Sequence, residues 1–200
     1  MVRRNIGPPR YDSAAYRPGN QMTDDVRNVH TGRVLTLNLE RVRLPNGRVA
    51  ELEIAHHPGG AVIVALDARR RVCLLRQFRH AAGGWITELP AGKLDGREPP
   101  IDCAQRELAE ETGMSARRWE RLGQFFTSPG VLTEIIHVFL ARELAACASA
   151  TEEHEVLEAH WVPLDEALKG ADAGELQDAK TVIGLTWARA RLADEAAEKM

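Results

Sequence analysis

Gly92-Lys93-Leu94-Asp95-Gly96-Arg97-Glu98, followed by Arg106-Glu107-Leu108-Ala109-Glu110-Glu111-Thr112-Gly113-Met114, is the stretch whose reading decides this fold. The second part predicts a helix over roughly Ile101 to Thr112. Pro99 and Pro100 suit its first turn, and Gly113 suits its C-terminal cap. On that helix Glu107 and Glu111 are four apart and point the same way, with Glu110 one step round. Ile101, Ala104 and Leu108 form a separate apolar stripe that can pack on a sheet. An acidic pair on a helix is ordinarily solvated surface. Here the acids follow a glycine loop and a helix-entry glutamate, and a capping glycine closes the run. Their mutual repulsion is a few tenths of a kcal/mol per i,i+4 pair in water. Arg106 can offset part of it through Glu110. The rest calls for a cation, and hard ions such as Mg²⁺ or Mn²⁺ take oxygen ligands of this kind.

Working outward, the chain reads as strands with a few helices. Val34-Leu35-Thr36-Leu37-Asn38-Leu39 alternates, Pro45-Asn46-Gly47 turns, and Arg48 to Ile54 returns, a hairpin pattern. Ala61 to Leu66 is a buried-strand run, Val72 to Phe78 a second, and Trp85 to Leu89 a short third. Residues 121–127 and 135–141 read as strands flanking Ser128-Pro129-Gly130, and Ala159 to Val162 as a last strand. Pro163 to Lys169 and Ala179 to Ala196 read as helices. Residues 1–25 lack periodicity and read as a flexible arm. The expected organisation is this arm, N-terminal strands over 26–57, and a main domain over 58–200. The alternation of strands and helices indicates an α/β or α+β fold.

The sequence has 200 residues, 44% apolar and 28% charged, with a net charge of −3. Such a chain can build one substantial core. It has no basic field to attract nucleic acid, so an anionic substrate must be held by local cations or metal. Cys73, Cys103 and Cys147 form no CxxC pair and read as reduced thiols of a cytoplasmic protein. The early arginines have no apolar run behind them, so no signal peptide is expected, and no stretch is long enough to span a membrane.

The spacing G-x5-E-x7-R-E-U-x-E-E-x-G-U, with U aliphatic, is the signature that the chain resembles most. It is that of the Nudix hydrolases. Gly92, Glu98, Arg106, Glu107, Leu108, Glu110, Glu111, Gly113 and Met114 meet every specified position. The resemblance implies an α/β/α sandwich with a mixed sheet. It also implies hydrolysis of a nucleoside diphosphate linked to another group. Glu107 and Glu111 are then metal ligands, joined by the backbone carbonyl of Ala91, and Glu110 assists directly or through water. Arg106 enters the catalytic group mainly by ion pairing, as does Glu98 for the loop.

Three further passages resemble the ADP-ribose pyrophosphatase branch: Arg76-Gln77-Phe78-Arg79-His80 with Glu88-Leu89-Pro90-Ala91-Gly92, Ser128 to Glu134, and Glu152-Glu153-His154-Glu155. By this resemblance Arg79 holds a phosphate, and Ser128 and Glu134 meet the terminal ribose or order the loop. Glu153 is the candidate base and Glu155 an extra metal ligand on a mobile loop. Sequence does not choose among these glutamates. Some relatives have arginines where this chain has Glu51-Leu52-Glu53, and Glu53 is the candidate for substrate contact there. His56 and His57 read as surface or dimer-interface residues. The branch also implies a homodimer formed through the N-terminal strands.

The expected reaction is conversion of ADP-ribose to AMP and ribose 5-phosphate, with no nucleic-acid or membrane partner. GDP-mannose or a broad range of nucleoside diphosphate sugars is the alternative within the class. A non-catalytic nucleotide sensor is the alternative outside it, and the intact glutamates argue against that.

Overall fold

Ala61-Val62-Ile63-Val64-Ala65 carries no polar side chain, and such a run forms a strand covered on both faces. It lies in β4 (Gly60–Ala65), every residue of which is buried. The computed structural model describes residues 23–147 and 157–198. Most of the expected N-terminal arm, together with Glu152, Glu153 and Glu155, lies outside the described residues. The chain divides into two units, Met1–His56 and His57–Met200.

The first unit is a three-stranded antiparallel sheet of β1 (Thr23–Thr31), β2 (Thr36–Arg43) and β3 (Val49–His56), in that order. The expected hairpin is β2–β3, with Gly47 at φ 81 in its turn. Only Gly readily takes that angle. The strand β1 is an addition to the sequence reading. Its pairing with β2 slips between Asn28 and His30, so its apolar residues Val26 and Val29 do not alternate. His56 Nε2 lies 2.5 Å from Glu40 Oε1.

In the second unit β4 is central. It pairs in antiparallel fashion with β7 (Ala91–Lys93) and in parallel with β9 (Ile135–Ala146), which pairs with β8 (Met114–Phe126). A second sheet has the order β10 (Leu157–Pro163), β5 (Arg71–Arg79), β6 (Gly84–Glu88). Strand alternation sorts the core into two halves. Val62 and Val64 pack with Leu185 and Ala188 of α3 (Ala179–Ala197) and Leu164 of α2 (Leu164–Asp172). Ala61 and Ile63 pack with Cys103, Ala104 and Leu108 of α1 (Pro100–Thr112). The result is the expected α/β/α sandwich. Leu108 is fully buried, which contributes about 1.5–3 kcal/mol by removal of apolar area from water.

Three elements differ from the sequence reading. The strand β7 is three residues long, too short to show a period, and follows Pro90. Strands β8 and β9 run further than expected. Glu143 takes φ 57, and that single left-handed residue breaks the inward–outward alternation that would mark the strand's continuation.

Candidate active site

The box helix α1 starts as its sequence requires, with Pro100 at N1, and stops at Gly113, whose φ of 65 lets its N–H reach Ala109 O at 2.9 Å. Its apolar stripe faces the sheet. That rotation lays its acidic side along the free edge of β7. The N–H of Ile63 donates to Pro90 O at 2.8 Å and that of Leu94 to Gly59 O at 3.1 Å. In an alternating antiparallel ladder these bonds put Ala91 and Lys93 in non-bonded pairs, with their N–H and C=O groups pointing away from β4. Both groups meet the helix. Ala91 N–H donates to Glu111 Oε2 at 2.9 Å, and Lys93 O accepts from Arg106 Nη2 at 3.2 Å.

Arg106 ties the box together. Nη1 donates to Glu107 Oε1 at 2.7 Å and to Glu110 Oε2 at 3.0 Å, and Nη2 to Glu98 Oε1 at 2.9 Å. Glu98 also accepts the N–H of Asp95 at 2.7 Å, which closes the loop before the helix. The hydrogen bond from Arg106 holds the Glu98 carboxyl below its ordinary range, and the glutamates around Arg106 raise the guanidinium pKa despite burial. Glu107 and Glu111 are both buried, at 8% and 4% exposure. Over Glu98, Arg106, Glu107, Glu110 and Glu111 the formal charge is negative, four carboxylates to one guanidinium.

Cys103 lies beneath this layer, its thiol directed at Gly92 O and Lys93 O. Burial and then Glu107 push it up to about 12, so it is a packing residue and no nucleophile.

Strand β5 contributes to the same half of the core as α1. Cys73, Leu75, Gln77 and Arg79 share one of its faces, and Cys73 and Leu75 belong to the α1 half of the core. The Cys73 thiol is pushed up to about 12, by burial and then by the charge of Glu111. At the far end of this face Arg79 makes a two-pronged contact with Glu88, Nε to Oε1 at 2.9 Å and Nη2 to Oε2 at 3.0 Å. Lys180 of α3 adds a bond to Glu88 Oε2 at 2.5 Å and one to Asp178 Oδ1 at 2.7 Å. Burial alone would raise the Glu88 pKa, but these cations outweigh it and lower the pKa. Thr181 Oγ1 accepts the N–H of Leu89 at 2.8 Å. Glu88 and Leu89 are therefore anchored just before Pro90 and Ala91.

The fold thus brings Ala91, Gly92, Glu98, Arg106, Glu107, Glu110, Glu111 and Gly113 together, and Arg79 pairs with Glu88 on the neighbouring sheet. Ser128 and Glu134 are in the β8–β9 loop. The Ser128 carbonyl accepts from Val131 and Leu132, and Glu134 Oε1 is 3.2 Å from His57 Nδ1. Glu53 belongs to the N-terminal unit.

His57, read from sequence as a surface or dimer-interface residue, has local partners within its own chain. It is half-buried, its N–H donates to Thr133 Oγ1 at 3.0 Å, and its Nδ1 accepts from Gly59 N–H at 3.0 Å. Burial lowers its pKa; Glu134 opposes that shift and Lys93 adds to it. Sequence reasoning also gave no role to Gln77, Glu88 or Lys180. The available signal was Gln77, a polar residue at an inward position of an alternating strand.

Among the described residues no group of three or more His, Cys, Asp or Glu side chains forms a closed metal cage. The donors present still suit a hard divalent ion. Such an ion keeps several waters and is commonly held by one or two carboxylates plus substrate phosphates. Glu107 and Glu111 provide the carboxylates, and the Ala91 carbonyl is directed off the same sheet edge.

Comparison with known proteins agrees with this geometry. The family model described as NUDIX domain matches residues 56–182. The chain is 40% identical over 161 residues to an ADP-ribose pyrophosphatase of Bacillus subtilis, covering 80% of this chain and 87% of that protein. It is 34% identical over 173 residues to a GDP-mannose pyrophosphatase of Salmonella arizonae, covering 80% and 88%. A crystal structure of an ADP compounds hydrolase superposes with a TM-score of 0.76 at 20% identity, over 86% of this chain and 94% of that one, and so shares the fold. The chain belongs to the Nudix family of diphosphate-hydrolysing enzymes.

Proposed function

We propose that this enzyme hydrolyses ADP-ribose to AMP and ribose 5-phosphate with Mg²⁺ or Mn²⁺. The 40% identity to the Bacillus subtilis ADP-ribose pyrophosphatase, extending well beyond the box, carries the substrate reading. In this reading Glu107, Glu111 and the Ala91 carbonyl would hold a divalent ion, and Glu110 would assist them directly or through water. A bound divalent ion would neutralise the diphosphate and lower the pKa of the attacking water. Arg79, held by Glu88, contacts a phosphate. Ser128, Glu134 and Glu53 contribute to binding of the sugars. Glu153 takes the proton from water, and Glu155 adds a ligand.

The N-terminal strands over 26–57 form a homodimer contact in this reading. The exposure of Val26, Val29 and Leu52 supports it. Reduced cysteines favour a cytoplasmic setting, and no described helix is long and apolar enough to cross a membrane.

The test is turnover of ADP-ribose, ADP-glucose, GDP-mannose, UDP-glucose, NADH and diadenosine polyphosphates with Mg²⁺ and with Mn²⁺. ADP-ribose should give the highest kcat/KM. Higher turnover of GDP-mannose would favour the second reading, which the 34% identity to the Salmonella arizonae protein supports.

A further inference from the structure

Gln77 stands out among the buried polar residues. It is 4% exposed. Glu88, Glu107, Glu111 and Thr181, the other buried polar side chains, each have a partner named above. No hydrogen bond from the Gln77 carboxamide is found among the described residues, although neither of its polar atoms is sealed from solvent without a partner. The amide offers no packing advantage over an apolar side chain of similar volume, such as Leu75 at the preceding inward position.

Its place in the fold gives the amide a purpose. Gln77 lies on the face of β5 shared by Cys73, Leu75 and Arg79, between two landmarks. On one side is Cys73, which belongs to the core cluster of Cys103, Ala104 and Leu108 from the box helix. On the other is Arg79, locked to Glu88, from which two residues lead to Ala91. Its directly opposite partners across the sheet, Leu157 and Ile86, are apolar. Its side chain shares a face of β5 with Arg79. A neutral carboxamide can donate to a phosphate oxygen and accept from a sugar hydroxyl. It does so without adding negative charge to a site already rich in carboxylates.

We propose that Gln77 is a substrate-binding residue: its carboxamide hydrogen-bonds the sugar-phosphate half of a nucleoside diphosphate sugar beside Arg79. This rests on the diphosphate-sugar reading given above. The two readings fail differently. A wild-type enzyme that turns over no such compound overturns both. An active wild type indifferent to the Gln77 side chain overturns only this one.

The experiment compares wild type with Gln77→Leu and Gln77→Asn, in kinetics with ADP-ribose and Mg²⁺, in thermal melts, and in calorimetry with the non-hydrolysable α,β-methylene analogue of ADP-ribose. Loss of one hydrogen bond to a charged group should lower kcat/KM for Gln77→Leu by about 10- to 100-fold. The loss should fall mainly on KM, with weaker analogue binding and a Tm equal to or above wild type. Gln77→Asn, which keeps the amide but sets it back by a methylene, should fall between. Wild-type kcat/KM and analogue affinity in Gln77→Leu would overturn the proposal, as would a lowered Tm with unchanged KM. If Gln77→Leu does not fold, Gln77→Asn decides by the same readouts.

Discussion

Gly92 and Glu107 are packed so closely that a Cβ on Gly92 would fall 1.7 Å from Glu107 Oε1. The glycine is therefore the floor on which the Glu107 carboxylate rests. Gly92→Ala must push Glu107 away or shift the strand. Overpacking of this kind costs about 1–3 kcal/mol. The displaced carboxylate should also lower kcat. Chemical denaturation and steady-state kinetics should show both losses together.

Glu111→Gln tests the metal assignment separately from the fold. The amide oxygen can still accept the Ala91 N–H, so the melting temperature should stay near wild type. Divalent-ion affinity and kcat should each fall by at least about 100-fold, since even residues behind the ligands are commonly worth 10- to 100-fold. Near-wild-type activity with Mg²⁺ would show that Glu111 is not a ligand. EDTA should abolish wild-type turnover, and added Mg²⁺ should restore it.

Arg106→Ala should leave Glu98, Glu107 and Glu110 without their shared guanidinium. The expected loss of stability is roughly 2–3 kcal/mol, for charge-assisted bonds in a partly buried setting. Millimolar Mg²⁺ should recover part of it, because a cation again neutralises the helix face. Melts of the variant with and without Mg²⁺ would reveal this, and wild type should respond less.

A pH effect is expected far from the cleft. Arg142 bonds Glu195 at 2.7 and 2.8 Å, and with Arg191 and Arg118 nearby it holds the carboxyl down to about 2 from its ordinary 4.5. A group whose folded pKa is depressed stabilises the protein above its unfolded pKa. That contribution is lost as pH falls through the folded value. Wild type should therefore lose stability between pH 4.5 and about 2 more steeply than Glu195→Gln. Denaturation midpoints measured across that range for both proteins provide the check.

Much of this enzyme was legible in its sequence. The spacing of Glu107 and Glu111, the prolines before Ile101 and Gly113 after Thr112 state a capped helix with one acidic and one apolar face. The fully apolar run of β4 states a strand covered on both sides. These are local facts, because a helix or strand period dictates which side chains share a face.

Partners were decided only by the tertiary structure. Nothing in the period of α1 says that its acids lie along β7, because β7 is a three-residue edge defined by its bonds to β4. Nothing near Glu88 announces Lys180, which reaches it from the start of a distant helix. The inward position of Gln77 is readable from β5 alone, but its neighbours Ile86 and Leu157 are set by strands distant in sequence. Sequence encodes faces through local geometry. Which faces meet depends on burying the core on both sides of β4, and that is a property of the whole domain.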